Sequence, residues 1–145
     1  MKYVLLDFPL EAIHKLAFRA AEAAHCAGEQ GKYWEMHDRL FANQMSLEPW
    51  SAHAEAVDLN VGRFEECLSR GKYADQIRKN IAEGQKAVVP GTPVFLLAYT
   101  DPTSSKVKTV ARLTGAQPFS IFKNRIDQLL AEQLKAGAEA AEKPQ

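Results

Sequence analysis

The spacing of hydrophobic residues changes period three times along this chain. Residues 2–8, Lys2-Tyr3-Val4-Leu5-Leu6-Asp7-Phe8, form a short, near-continuous apolar run closed by Pro9. That is the pattern of a strand buried on both faces. From about Leu10 to Lys86 the spacing is helical. Ile13, Leu16, Ala17, Ala20 and Ala24 recur at three- and four-residue steps, Pro9 sits near the first turn, and Gly28 and Gly31 mark the stop. A second helix carries Tyr33, His37, Leu40, Phe41 and Gln44 on one face, with Trp34 beside it. After the loop Glu48-Pro49-Trp50-Ser51, in which Ser51 is a candidate N-cap, two shorter helices follow. Phe64, Cys67 and Leu68 share a face of the first, with Gly71 as its end. Ile77, Ile81 and Val88 line up on the second.

Beyond Lys86 the period shortens to two. Val88-Val89-Pro90-Gly91-Thr92-Pro93 is turn chemistry, and Val94–Tyr99 reads as a second buried strand. Asp101–Ser105 is a connection longer than a two-residue hairpin turn. Lys106–Leu113 alternates, with Val107, Thr109, Ala111 and Leu113 on one side, and Gly115 ends it. A last helix from about Pro118 to Lys135 places Phe119, Phe122, Ile126, Leu129, Leu130 and Gln133 on an inward stripe. Residues 136–145 are expected to form a flexible tail. The order strand, helices, strand, strand, helix defines an α/β architecture. It makes one domain over residues 1–135, with a helical insertion at about 10–87.

Composition narrows the function. The chain has 145 residues, 46% hydrophobic and 25% charged, as in ordinary globular proteins. Eighteen basic residues balance eighteen acidic ones, which argues against a nucleic-acid partner, since phosphate-binding domains carry a basic surplus. The longest apolar run, Val94–Tyr99, is far too short to span a membrane, so no membrane insertion is expected. Residues 1–30 show no apolar h-region, so no signal peptide is expected.

Two features carry candidate chemistry. Pro93 opens an otherwise central-looking strand, where its missing N–H is tolerated. An X–Pro bond there is either an ordinary trans bond or a cis bond that exposes the Thr92 backbone to an extended peptide. Cys26 and Cys67 stand 41 positions apart. They read as two buried free thiols or as a structural disulfide tying the helices together, and no C-x-x-C is present to make them redox-active. His25, Cys26 and His37 do not make a metal site, because neighbouring helix positions diverge by about 100° and a fourth ligand is missing. His14 and His37 are placed at helix seams and His53 on the surface. No G-x-S-x-G, G-x-G-x-x-G or Walker loop is present, and no cofactor is implied.

The combination nevertheless resembles a known family. The stretches are Tyr3–Glu11, Ala20–Ala27, Glu29–Asp38, Leu40–Gln44, Phe64, Cys67-Leu68, Gly71–Ala74, Pro90–Phe95 and Gly115–Phe119. Together they resemble the DsbA-like branch of the thioredoxin superfamily, thiol–disulfide oxidoreductases of the protein-disulfide isomerase type with a helical insertion. The resemblance covers residues 2–134. It implies a cis Thr92-Pro93 bond, a peptide-contacting loop at Gly91, Thr92 and Pro93, and proximity of Cys26 and Cys67. It also implies protein or peptide substrates bearing thiols or disulfides, and a usually periplasmic or extracytoplasmic setting.

One departure from the family matters. Its members carry a further N-terminal strand and a helix opening with C-x-x-C, and neither Cys26 nor Cys67 matches those positions. The expected fold is therefore an incomplete thioredoxin-like fold with an inserted α-helical block and no catalytic residue of its own. Two alternatives stand beside it. One is a non-catalytic peptide-binding module using the cis-proline edge. The other is a relative of the glutathione-dependent isomerases, which share the insertion. Strands at residues 3–8 and 94–99 without a central neighbour would leave unpaired edges, which recruit other strands, so a homodimer through sheet edges is expected.

Overall fold

The computed structural model describes the backbone of residues 2–100 and 107–141 and the side chains of residues 2–99 and 107–135. Helices α1 (Ala17–Gly28), α2 (Tyr33–Ala42), α3 (Trp50–Ala56), α4 (Val61–Ser69) and α5 (Ala74–Lys86) precede strands β1 (Val94–Thr100) and β2 (Val107–Thr114), and α6 (Phe119–Ala141) follows. This is the mixed α/β class expected of a partial thioredoxin-like fold. The chain divides into two units, Met1–Gly91 and Thr92–Gln145.

In the first unit, α1 lies against α2, α4 and α5. Its inner face is Ala23, Ala24, Cys26 and Ala27, all buried, and such short side chains allow close approach of the neighbouring helices. Phe64 from α4 and Met36 from α2 share one core cluster with this face, and both are fully buried, as is Ile77 of α5. Gly31 and Gly71, following α1 and α4, take φ values of +76° and +60°, where any other residue would be strained. Asn60 caps α4 by accepting a hydrogen bond from the Arg63 N–H at 2.9 Å. The Asn60 N–H in turn donates to the Gln30 side chain, also at 2.9 Å.

Several expectations for this unit need correction. Residues 2–8 form no strand: among the described residues the sheet contains β1 and β2 alone. The segment is fixed by side chains instead. The first helix begins at Ala17, not near Leu10. Turns bonded to the Leu10 carbonyl occupy the interval, and Glu11 within them pairs with Arg78 of α5. Ile13 is 70% exposed. On α2 the buried positions are Met36 and Leu40, while Trp34 and Phe41 face outward and Gln44 lies beyond the helix. Ser51 is no cap, since α3 opens at Trp50 after Pro49. Val88 follows the end of α5 with a φ of +53° and is exposed.

In the second unit β1 and β2 are antiparallel, Val94 facing Thr114 and Thr100 facing Val107. The register slips between Leu97 and Ala98, which face Ala111 and Thr109. Val110 is the additional residue of a bulge, and it breaks the simple alternation read from the sequence. Helix α6 covers one side of the hairpin. Phe95 and Phe122 meet edge to face with ring centres 4.7 Å apart, and the Tyr99 hydroxyl donates to the Leu129 carbonyl at 2.6 Å. The inward stripe of α6 is narrower than expected: Leu129 is buried, but Phe119 and Leu130 are 80% and 52% exposed. Two strands offer room for one line of side chains only. The helix also runs on to Ala141, through an alanine-rich stretch of high helix propensity. The expected connection Asp101–Ser105 and the last residues, 142–145, lie outside the described residues.

Candidate functional site

Cys26 projects from the buried face of α1 and Cys67 from that of α4, one turn after Phe64. They are joined in a disulfide with a Cα–Cα distance of 5.8 Å, within the usual range for such a bridge. Cys26 is 1% and Cys67 6% exposed. A cavity of about 190 Å³ reaches both residues, and Glu29, Arg63, Arg70 and Lys72 stand around it. Glu29 pairs with Lys72 at 2.7 Å. Hydrogen bonds from Lys72 and then Tyr73 hold its carboxyl below the ordinary carboxylate range.

Beside the disulfide lies a polar contact that sequence reading missed. His25 Nε2 and Asp7 Oδ2 are 2.8 Å apart, and Asn80 of α5 donates to the same oxygen at 3.1 Å. The imidazole stacks on Tyr73, with ring centres 5.0 Å apart, and leans on Tyr33 at 5.3 Å. Next to Asp7, the ring of Phe8 lies over α5 at Gly84. A Cβ at that position would stand 2.5 Å from the ring, so only glycine admits it. Asp7 and Asn80 are 73 positions apart, and no local motif announces a contact of that separation.

Two of the other histidines differ from expectation. His53 is buried, with Nε2 3.0 Å from the Ser46 carbonyl oxygen, whereas His14 is exposed. His37 sits half-buried between Trp34 and Phe41. Among the described residues no group of three or more His, Cys, Asp or Glu side chains is placed to hold a metal ion.

Tyr33 reports on this region. Burial, reinforced by the Asp7 carboxylate and by Tyr3, pushes its hydroxyl up to about 12 from an ordinary 10.0. The folded state therefore holds this proton more tightly than the unfolded chain does. Its contribution to stability is full below pH 10 and is lost as pH rises from 10 towards 12. In urea unfolding at alkaline pH, Tyr33→Phe is expected to flatten that decline. An unchanged pH profile in the variant would refute the assignment.

The loop Gly91-Thr92-Pro93 leads into β1. The Thr92–Pro93 bond is cis, and Thr92 and Pro93 are exposed. The Pro93 carbonyl accepts the Gly115 N–H at 2.8 Å, while the Thr92 backbone makes no hydrogen bond among the described residues. The edge of β1 away from β2 is likewise unpaired among them.

The disulfide-tied helices, followed by a hairpin and a closing helix, define the class. The chain belongs to the thioredoxin family, whose sequence model, described as Thioredoxin, matches residues 1–116. It is a family of the thiol–disulfide oxidoreductase type. Among individual proteins, the chain is similar to the Na(+)/H(+) antiporter NhaA 3 of Salinispora tropica, 40% identical over 99 residues, covering 67% of this chain and 15% of the antiporter. NhaA 1 of Salinispora arenicola matches to the same extent. NhaA 1 of Mycobacterium sp. strain KMS is 34% identical over 100 residues, covering 66% of this chain and 16% of the antiporter. The chain thus spans about 15% of the length of the curated relatives it matches. No helix among the described residues is long and apolar enough to cross a membrane. No solved structure matches the chain significantly.

Proposed function

We propose that this chain is a DsbA-like thioredoxin-fold module that holds extended polypeptide at Gly91, Thr92 and Pro93 and does not itself exchange disulfides through a C-x-x-C. The observation that carries this reading is the fate of the cysteines. The sequence has two, and both are spent in one buried bridge between helices. To attack a substrate disulfide a protein needs an accessible thiolate of its own, and the oxidised chain has no free cysteine to supply one. The peptide-holding part rests on the exposed backbone of Thr92 and the open edge of β1, to which an extended segment can add as a strand. A second copy of the chain is one such partner, which keeps a homodimer within the proposal. The small share of each antiporter that the chain matches supports a portable module and not the transport machinery.

Insulin reduction by dithiothreitol, with free-thiol quantitation alongside, tests the reading. The expected rate is the uncatalysed one, with no free thiol per chain before reductant is added. Acceleration of insulin precipitation in proportion to protein concentration would overturn it.

A further inference from the structure

The cavity against the Cys26–Cys67 bridge has a charge pattern that a purely structural disulfide does not require. Glu29 is matched to Lys72 at 2.7 Å and Glu66 to Arg70 at 2.8 Å. Arg63, the third cation on the wall, makes no ion pair among the described residues, so the cavity carries a surplus positive charge. The two half-cystines differ as well. Cys26 is enclosed by the α1 core at 1% exposure, and Cys67 is the more open at 6%. Glu29 Oε1 lies 3.7 Å from the Cys67 sulfur. An approaching anion meets this carboxylate too, but the Lys72 ammonium offsets it.

We propose that this cavity is a modification site at which a small anionic thiol of the glutathione class attacks Cys67 and leaves it S-thiolated. The incoming thiolate forms a bond to the Cys67 sulfur, and the Cys67–Cys26 bond breaks. The electron pair leaves on the Cys26 sulfur, which takes a proton from water. One disulfide has been exchanged for another, so no net oxidation has occurred. A second thiolate then attacks the mixed disulfide. It releases a small-molecule disulfide and the Cys67 thiolate, which is protonated in turn, completing a two-electron reduction of the protein by the thiol. The Cys67 thiol so formed has Glu29 as its hydrogen-bond acceptor. The bridge of the helical unit thereby senses the thiol pool, and the surplus charge at Arg63 selects for negatively charged thiols.

The native oxidised protein is incubated with glutathione or, separately, with the cationic thiol cysteamine at low ionic strength. Free thiols are then trapped by alkylation and the adduct is mapped by mass spectrometry. After correction for thiolate fraction, glutathione is expected to react about fivefold or more faster than cysteamine, with the adduct on Cys67 and the alkyl label on Cys26. Added salt should shrink the preference, and so should Arg63→Gln, a change at an exposed side chain. An adduct on Cys26, equal rates for the two thiols, or a preference unaltered in Arg63→Gln would overturn the proposal. So would adduct formation only at urea concentrations that melt the helices.

Discussion

Cys26→Ala/Cys67→Ala is expected to lower the stability of the helical unit by about 4 kcal/mol. The bridge closes a loop of 41 positions, and cross-linking residues so far apart removes a large part of the freedom of the unfolded chain. The native side of the balance changes less, because alanine fits a site already lined by Ala23 and Ala27. The double replacement avoids a stray thiol and isolates the effect of the cross-link. Urea unfolding followed by far-ultraviolet circular dichroism measures it, as a midpoint far below that of the parent. A midpoint within experimental error of the parent would show that the helices hold one another without the bridge.

Phe64→Ala is expected to cost about 3–5 kcal/mol. Phe64 is fully buried and lies in the same cluster as Met36, Leu40, Cys67 and Leu68. Removing the ring leaves a void that helices pinned by a disulfide cannot collapse to fill. Phe64→Leu, which keeps most of the volume, should recover more than half of the loss. The same unfolding experiment compares the two. Equal destabilisation by both variants would indicate that ring shape matters and filled volume does not.

What could be read from the sequence was what is encoded locally. Gly28, Gly31 and Gly71 stand where helices stop, and the run Val94–Tyr99 after Thr92-Pro93 is a strand, because turn chemistry and period-two patterning act over a few residues. The proximity of Cys26 and Cys67 followed from helical faces and from family resemblance together. Features that depend on distant partners were not legible. Asp7 meets His25 and Asn80 through the packing of three separate segments. His53 is buried because the Ser46 carbonyl is brought to it. The apolar run at residues 2–8 carries a strand's pattern, but a strand exists only with a neighbour to bond, and these residues instead meet helices through side chains. On α6 the periodicity marks a stripe wider than a two-stranded hairpin can cover, which leaves Phe119 and Leu130 exposed.

The way residues 2–9 are held has a thermodynamic consequence. None of their N–H or C=O groups is hydrogen-bonded among the described residues, although Tyr3 rests against Trp34, Asp7 meets His25 and Phe8 lies on α5. Fixing a backbone in one conformation costs about 1–2 kcal/mol per residue, and in most strand additions that loss is set against the hydrogen bonds formed in the same event. Here the ordering is already met by side-chain contacts that leave the main chain untouched. A segment laid alongside would find its template prearranged, so only the newcomer would surrender conformational freedom, and each main-chain bond would contribute nearer to its full value.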